Sequence, residues 1–171
     1  MRLRHRVTRE LLADTLQIPP SRLPAFNARL KYLLSLGLIP DRREGGHWQR
    51  YRLADIFEMA IAVQLERCFV APGEAVRFIV ESRDSLRQVW WRSLIKGDSF
   101  SVSIRVDALA LEADSSPRLE LQRGHHACSS LLPVLVLDIS HLIDRIVEQV
   151  RSHPDIDDID VEHDIHELGS R

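Results

Sequence analysis

Cysteine is scarce. Cys68 and Cys128 are the only two, far apart and outside any CxxC spacing, so neither a disulfide framework nor a zinc-finger pattern is written in the chain. Free thiols in a reducing compartment are the expectation. Long apolar runs are also missing: the longest strongly apolar stretch, Leu131–Leu137, is too short to span a bilayer, and Met1-Arg-Leu-Arg-His-Arg lacks the apolar region of a signal peptide. These absences predict a cytoplasmic protein that does not use a membrane. Lysine is nearly absent, with arginine supplying 21 of the 23 basic residues. No nucleotide-binding glycine motif, nucleophile elbow or pair of catalytic carboxylates is present, so an enzyme is not expected and no cofactor is assigned.

What is present is a segregation of charge. The net charge of -2 conceals a basic first third, because residues 1–52 carry eleven Lys/Arg against four Asp/Glu. Residues 104–171 reverse this, with six against fourteen. Such an asymmetry suits a basic surface for a polyanion joined to an acidic region that aids solubility or tunes binding. Charge drift of the kind found in many soluble chains would leave the same trace.

Apolar spacing divides the first half into helices. Thr8 is the expected N-cap of a helix through Leu16, with Leu11, Leu12 and Leu16 facing inward. Pro19 and Pro20 end it, and Leu23, Phe26, Leu30 and Leu34 then mark the core stripe of a second helix, Pro24–Leu36. Ala25, Ala28, Arg29, Tyr32, Asn27 and Lys31 lie on its other sides. Small alanines permit close approach to a groove, and Arg29 and Asn27 are residue types that read guanine and adenine edges. An ordinary solvated helix face has the same composition. Gly37 suits the position just past the helix, and Pro40 bars its continuation.

Next comes Asp41-Arg42-Arg43-Glu44-Gly45-Gly46-His47-Trp48-Gln49-Arg50-Tyr51-Arg52. Gly45-Gly46 can supply the positive φ of a hairpin, with His47–Arg52 as its returning strand and Trp48 and Tyr51 as its anchors. Four arginines around such a tip make a wing suited to phosphates. Arg2, Arg4 and Arg6 alternate with Leu3, His5 and Val7, which fits either a short edge strand or a basic arm.

The order helix, turn, helix, Gly37-Leu38-Ile39-Pro40, wing through Tyr51-Arg52-Leu53, Asp55, Ile56–Arg67 and Phe69-Val70-Ala71-Pro72-Gly73-Glu74-Ala75 resembles the DNA-binding domain of MerR-type regulators of bacteria over residues 7–80. Leu30-Lys31-Tyr32 matches that family's Leu-Arg-Tyr. The sequence departs from the pattern in its longer, proline-rich turn Ile18–Pro24, in Leu33, and in Cys68 where glycine is common. The resemblance implies a winged helix-turn-helix that binds double-stranded DNA as a homodimer and regulates transcription. The residues expected at the DNA are Arg22, Asn27, Arg29, Lys31, Tyr32, Arg42, Arg43, His47, Arg50 and Arg52. It also implies a dimerisation helix after residue 81, with Leu86, Val89, Trp90 and Trp91 as interface residues. Burial of that stripe within the chain is the competing reading.

From Ser99 the period falls to 2. Phe100, Val102, Ile104 and Val106 alternate with polar residues, Ala113–Pro117 is a turn, and Arg118–Gln122 alternates again, which describes a hairpin. Leu131–Leu137 is expected as a third, more buried strand, although Pro133 argues for an edge. Asp138 is a fitting cap for a helix Ile139–Val150. The loop containing His125, His126 and Cys128 holds metal-ligand types, but MerR-type metal sensors usually bring paired cysteines, so no metal is assigned.

The expected fold class is therefore α+β. Residues 1–81 form the winged helix-turn-helix, 82–97 a linking helix, 98–152 a small domain of about three antiparallel strands plus one helix for dimerisation or an effector, and 153–171 an acidic, flexible tail carrying His163 and His166. Two other functions fit the same residues: an architectural or recombination accessory DNA-binding protein of excisionase or packaging type, and a winged helix used as a protein-interaction module.

Overall fold

A computed structural model describes residues 3–40, 50–105, 118–124, 134–154 and 156–169. Seven helices and two small antiparallel sheets are seen among them, an α+β arrangement as expected. Strand β1 (Leu3–Arg4) pairs with β2 (Arg50–Tyr51), setting Leu3 opposite Tyr51 and Arg4 opposite Arg50. Arg2–Val7 thus contains an edge strand. Helix α1 (His5–Thr15) begins three residues before the expected cap. The ladder holds Arg4 extended at φ -73°, ψ 151°, so helix can follow directly. Thr8 is buried inside the helix, where its hydroxyl donates to the Arg4 carbonyl at 3.2 Å.

A 3-10 turn (Pro20–Arg22) leads into α2 (Leu23–Ser35). Phe26 and Leu30 of the expected stripe are buried, Leu23 and Leu34 are partly buried, and Leu33 joins them with no exposed surface. Helices α1, α2 and α3 (Leu53–Arg67) all close with the same double hydrogen-bond pattern, in which one residue past the cap takes positive φ. In α2 that residue is Gly37, at φ 87°; its N–H bonds the Leu34 carbonyl and that of Leu38 bonds Leu33. In α1 and α3 it is Gln17 and Phe69. The glycine-like position after α3 is therefore held by Phe69, one residue beyond Cys68.

Helix α3 runs through the middle of the molecule, with twelve of its residues buried, among them Asp55 and Glu58. Helices α4 (Pro72–Glu81) and α5 (Arg83–Lys96) meet at Ser82, so the segment 72–97 is two helices. The second sheet has the order β4 (Arg118–Arg123), β3 (Phe100–Arg105), β5 (Val134–Asp138), all antiparallel. β3 is central. β5, expected as the more buried strand, is an edge, and Leu135 and Val136 are each more than two-fifths exposed. The turn Ala113–Pro117 lies outside the described residues.

Helix α6 (Ile139–Arg151) is capped by Asp138, whose Oδ1 accepts from His141 N at 2.9 Å. Its stripe 139, 142, 143, 146, 147 and 150 is buried throughout. It packs against α1, α3, α5 and β3, so one core runs across the boundaries expected at residues 81 and 98. The acidic segment is not a flexible tail over 158–168. It forms α7 (Asp158–Leu168), which buries Val161, Ile165 and Leu168 against the same core. These three recur at four and three residues, an apolar stripe that the surrounding carboxylates disguise in the sequence. Among the described residues no helix is long and apolar enough to cross a membrane.

At the centre, Arg83 forks onto Glu58 through Nε and Nη2, both at 2.9 Å, and Nη2 also donates to the Leu38 carbonyl at 2.7 Å. Glu58 is 1% exposed, and burial holds its carboxyl above the usual range even though Arg83 pulls the other way. Removing one partner of such a pair leaves a buried, uncompensated group. Arg83→Ala is expected to lower unfolding stability by about 3 kcal/mol in urea denaturation, whereas the exposed Arg77→Ala costs under about 1 kcal/mol.

Candidate nucleic-acid interface

Helix α2 presents an outer row of Ala25, Ala28, Lys31, Tyr32 and Ser35, all exposed, with Tyr32 at 50%. Arg22 is exposed at its N-terminal approach. Lys31 and Tyr32 are therefore on the exposed row of the helix. Asn27 and Arg29 do not share a reading face: two residues apart on a helix, they point about 160° from each other. Asn27 is half-buried on one flank. Arg29 leans from the other flank onto α3, where its Nε donates to Glu66 Oε2 at 2.8 Å. The Glu66 side chain is 4% exposed and burial raises its pKa, so Arg29 acts first as the counter-ion of a buried acid.

The β1–β2 ladder, whose second strand follows α2 in the chain, packs against α1 and α3. It sets the exposed Arg4 directly opposite the exposed Arg50. Like charges facing across a strand pair repel, and among the described residues neither joins an ion pair, so an anion is the natural complement of this edge. Tyr51 anchors the ladder from below, 3% exposed, with its hydroxyl 3.3 Å from His5 Nδ1. Arg42, Arg43 and His47, with the second proposed anchor Trp48, lie outside the described residues, as do His125, His126 and Cys128.

Arg52 belongs to a different assembly. It is half-buried, and its Nη1 lies 3.7 Å from Glu167 Oε2 on α7. Its backbone N–H donates to Asp55 Oδ2 at 2.8 Å, and the next N–H, on Leu53, donates to Asp164 Oδ2 at 3.1 Å. One carboxylate from the helix's own first turn, Asp55, and one from distant α7, Asp164, thus satisfy N–H groups at the opening of α3, and both favour its positive dipole end. The sequence signalled Asp55 by its place in the first turn. Asp164 and Glu167 gave no local signal, because they act on residues far upstream.

Arg52, Asp55, Arg87, Asp164, Glu167 and Leu168 surround a small cavity of about 150 Å³ at this junction. His163, Asp164 and Glu167 bring three donor atoms within 4.8 Å of one another, the one cluster of metal-ligand types among the described residues. Asp164 and Glu167 are already committed to Leu53 and Arg52.

The stripe read as a dimer seam is used inside the chain. Leu86, Val89 and Trp90 are buried, and Trp90 packs its ring 5.2 Å from Phe57. Trp91 is half-buried beneath the end of α7, so close that a Cβ on Gly169 would fall 2.4 Å from its Nε1. Tertiary packing has claimed these side chains, which is why an apolar stripe could not name its partner.

No protein-family model matches the chain and no curated protein matches it. The functional reading therefore stands on the residues and their placement.

Two outcomes follow at this site. Asp164→Ala, which uncaps α3, is expected to lower unfolding stability by about 1–2 kcal/mol in chemical denaturation, with Asp160→Ala on the exposed face near zero. His5 has its pKa lowered, first by burial and then by the Arg9 charge. Its contribution is complete above the ordinary histidine value of about 6.5 and is lost as pH falls below it, because the unfolded chain takes up the proton first. The thermal midpoint should therefore decline through that range in wild type and decline less in His5→Gln.

Proposed function

We propose that this chain is a sequence-specific DNA-binding transcriptional regulator resembling MerR-type proteins, acting on double-stranded DNA as a homodimer. The observation that carries this reading is the placement of two exposed features on consecutive elements. One is the small-residue row of α2 with Lys31 and Tyr32; the other is the β1–β2 edge that follows it in the chain, where Arg4 faces Arg50. The short helix pair α1–α2, closed by Gly37 and followed by a strand that returns to the N-terminal edge, matches the expected order of a winged helix-turn-helix.

In this reading α2 enters the major groove through Ala25, Ala28, Lys31 and Tyr32. Its alanines let the backbone approach the bases, and Lys31 and Tyr32 supply polar contacts to bases or phosphates. Arg4 and Arg50 take adjacent phosphates. Arg29 sets the tilt of α2 against α3 instead of reading bases. Two-fold pairing uses a surface other than the Leu86, Val89 and Trp90 stripe, since those side chains are buried.

The test is titration of DNA duplexes at several salt concentrations, after selection of bound sequences from a random pool. Affinity should fall steeply with salt, and Arg4→Ala or Arg50→Ala should each reduce the slope of log affinity against log salt by about 1 while weakening all sequences alike. Lys31→Ala together with Tyr32→Ala should relax preference for the selected site. A palindromic selected site would report the dimer and its half-site spacing. Binding that ignores both salt and the two arginines would refute the proposal.

A further inference from the structure

The two edges of the second sheet are finished differently. β4 carries Glu120 and Arg123, both exposed, and charged side chains of this kind discourage another strand from adding to an edge. β5 is aliphatic from Val134 to Leu137 and meets its first charge at Asp138, whose carboxylate caps α6. Its register assigns the faces. Leu135 and Leu137 lie opposite Ile104 and Val102, on the face turned to the core, and Val136 lies opposite Ser103 on the other face. Neighbouring residues of a strand point to opposite sides, yet Leu135 is 44% exposed and Val136 47%. The middle of the strand is thus open on both faces, and among the described residues no strand pairs with its outer side.

An edge in this state offers unpaired N–H and C=O groups together with apolar side chains, the combination that takes up another strand. Its pattern matches a second copy of itself. Two β5 strands related by a two-fold axis run antiparallel, and because side chains keep to their own faces, a residue opposes either its own counterpart or one an even number of positions away. The five residues therefore pair in full only with Val136 against its own counterpart and Leu135 against the counterpart of Leu137. The central pairs are then aliphatic on aliphatic. The two Asp138 carboxylates stand on either side of the axis, roughly 14 Å apart along the strands, so like charges do not meet. A second apolar opening, between α5, α6 and α7, lacks this match. Asp144, Glu148 and Glu162 rim it, so a two-fold contact there would set acid against acid.

We propose that β5 is the self-pairing surface of this chain: two copies join edge to edge and antiparallel, with Val136 on the two-fold axis, in one sheet of order β4-β3-β5-β5-β3-β4. The need for a pair rests on the DNA-binding reading above, whose Leu86, Val89 and Trp90 stripe is spent on the core; the geometry of the edge does not depend on it. Backbone hydrogen bonds and aliphatic contact hold the pair, so it is insensitive to salt where binding to DNA is steeply sensitive.

The full chain is sedimented over a range of concentrations as wild type, as Val136→Lys, as Val136→Glu, and as the two variants mixed in equal amounts, with far-ultraviolet circular dichroism as the measure of folding. Wild type is expected to dimerise. Each variant alone sets like charges across the axis and is expected to weaken the dimer roughly tenfold or more with its dichroism unchanged. The mixture recovers the dimer, because lysine then meets glutamate. A residue that opposes its own counterpart gives that rescue. A wild-type dimer that both variants leave intact overturns the β5 contact, and so do variants that dissociate and are not rescued by mixing. Wild type that stays monomeric also overturns it: if Val136→Lys then loses its dichroism, the chain's own residues cover the edge, and if it keeps it, the edge belongs to a strand of another protein. Titration of a DNA duplex at several salt concentrations scores the other reading separately. A monomer that binds with steep salt dependence keeps the DNA contact and removes this pair, whereas a rescued dimer that binds no duplex removes the DNA reading and keeps the edge.

Discussion

The fork between Arg83 and Glu58 fixes the relation among the parts. One guanidinium, at the first residue of α5, grips a carboxylate buried in the central helix and the carbonyl that follows α2. Glu58 is withdrawn from water and Arg83 partly so, so the buried carboxylate depends on its partner, and the planar two-bond geometry admits little sliding. The turn after α2, the middle of α3 and the start of α5 are thus held to one arrangement. Apolar burial supplies the larger share of the driving force, but it is non-directional. The fork sets the angle at which α2 leaves the core and therefore how its outer row is presented.

Features decided within a few residues could be read directly. The Gly37 closure, the Asp138 cap and the stripe of α6 all lie where spacing and local chemistry put them, whereas β3, read as half-buried from its alternation, also buries Ser101 and Ser103 as the central strand. Features decided by distant partners could not. Thr8 looked like a cap until the ladder with Arg50 and Tyr51 extended the chain ahead of it. Asn27 and Arg29 were grouped by residue type, although helix geometry alone sets them on opposite flanks, and only the buried Glu66 explains which way Arg29 turns. The acids of residues 157–167 suggested a solvated tail because composition outweighed three apolar residues at helical spacing. Arg42, Arg43 and His47 lie outside the described residues.

The charge asymmetry also takes a more specific form. Among the described residues the contacts of the acidic segment with upstream elements include Asp164 on the first turn of α3, Glu167 on Arg52, and Glu162 on Arg151 of α6. Arg4, Arg50 and Lys31 remain exposed. The acids thereby stabilise the opening of α3 while Arg4 and Arg50 of the ladder stay exposed.

The reach of Asp164 has a consequence for the order in which the molecule is made. Its partner Leu53 precedes it by 111 residues. At a synthesis rate of ~5–20 residues per second, the first turn of α3 waits roughly 6–20 s after it is made before its acceptor exists. Through that interval α3 has neither Asp164 nor the rest of α7 against it. A chain halted before residue 164 therefore presents the first turn of α3 with the Leu53 N–H still lacking its distant acceptor.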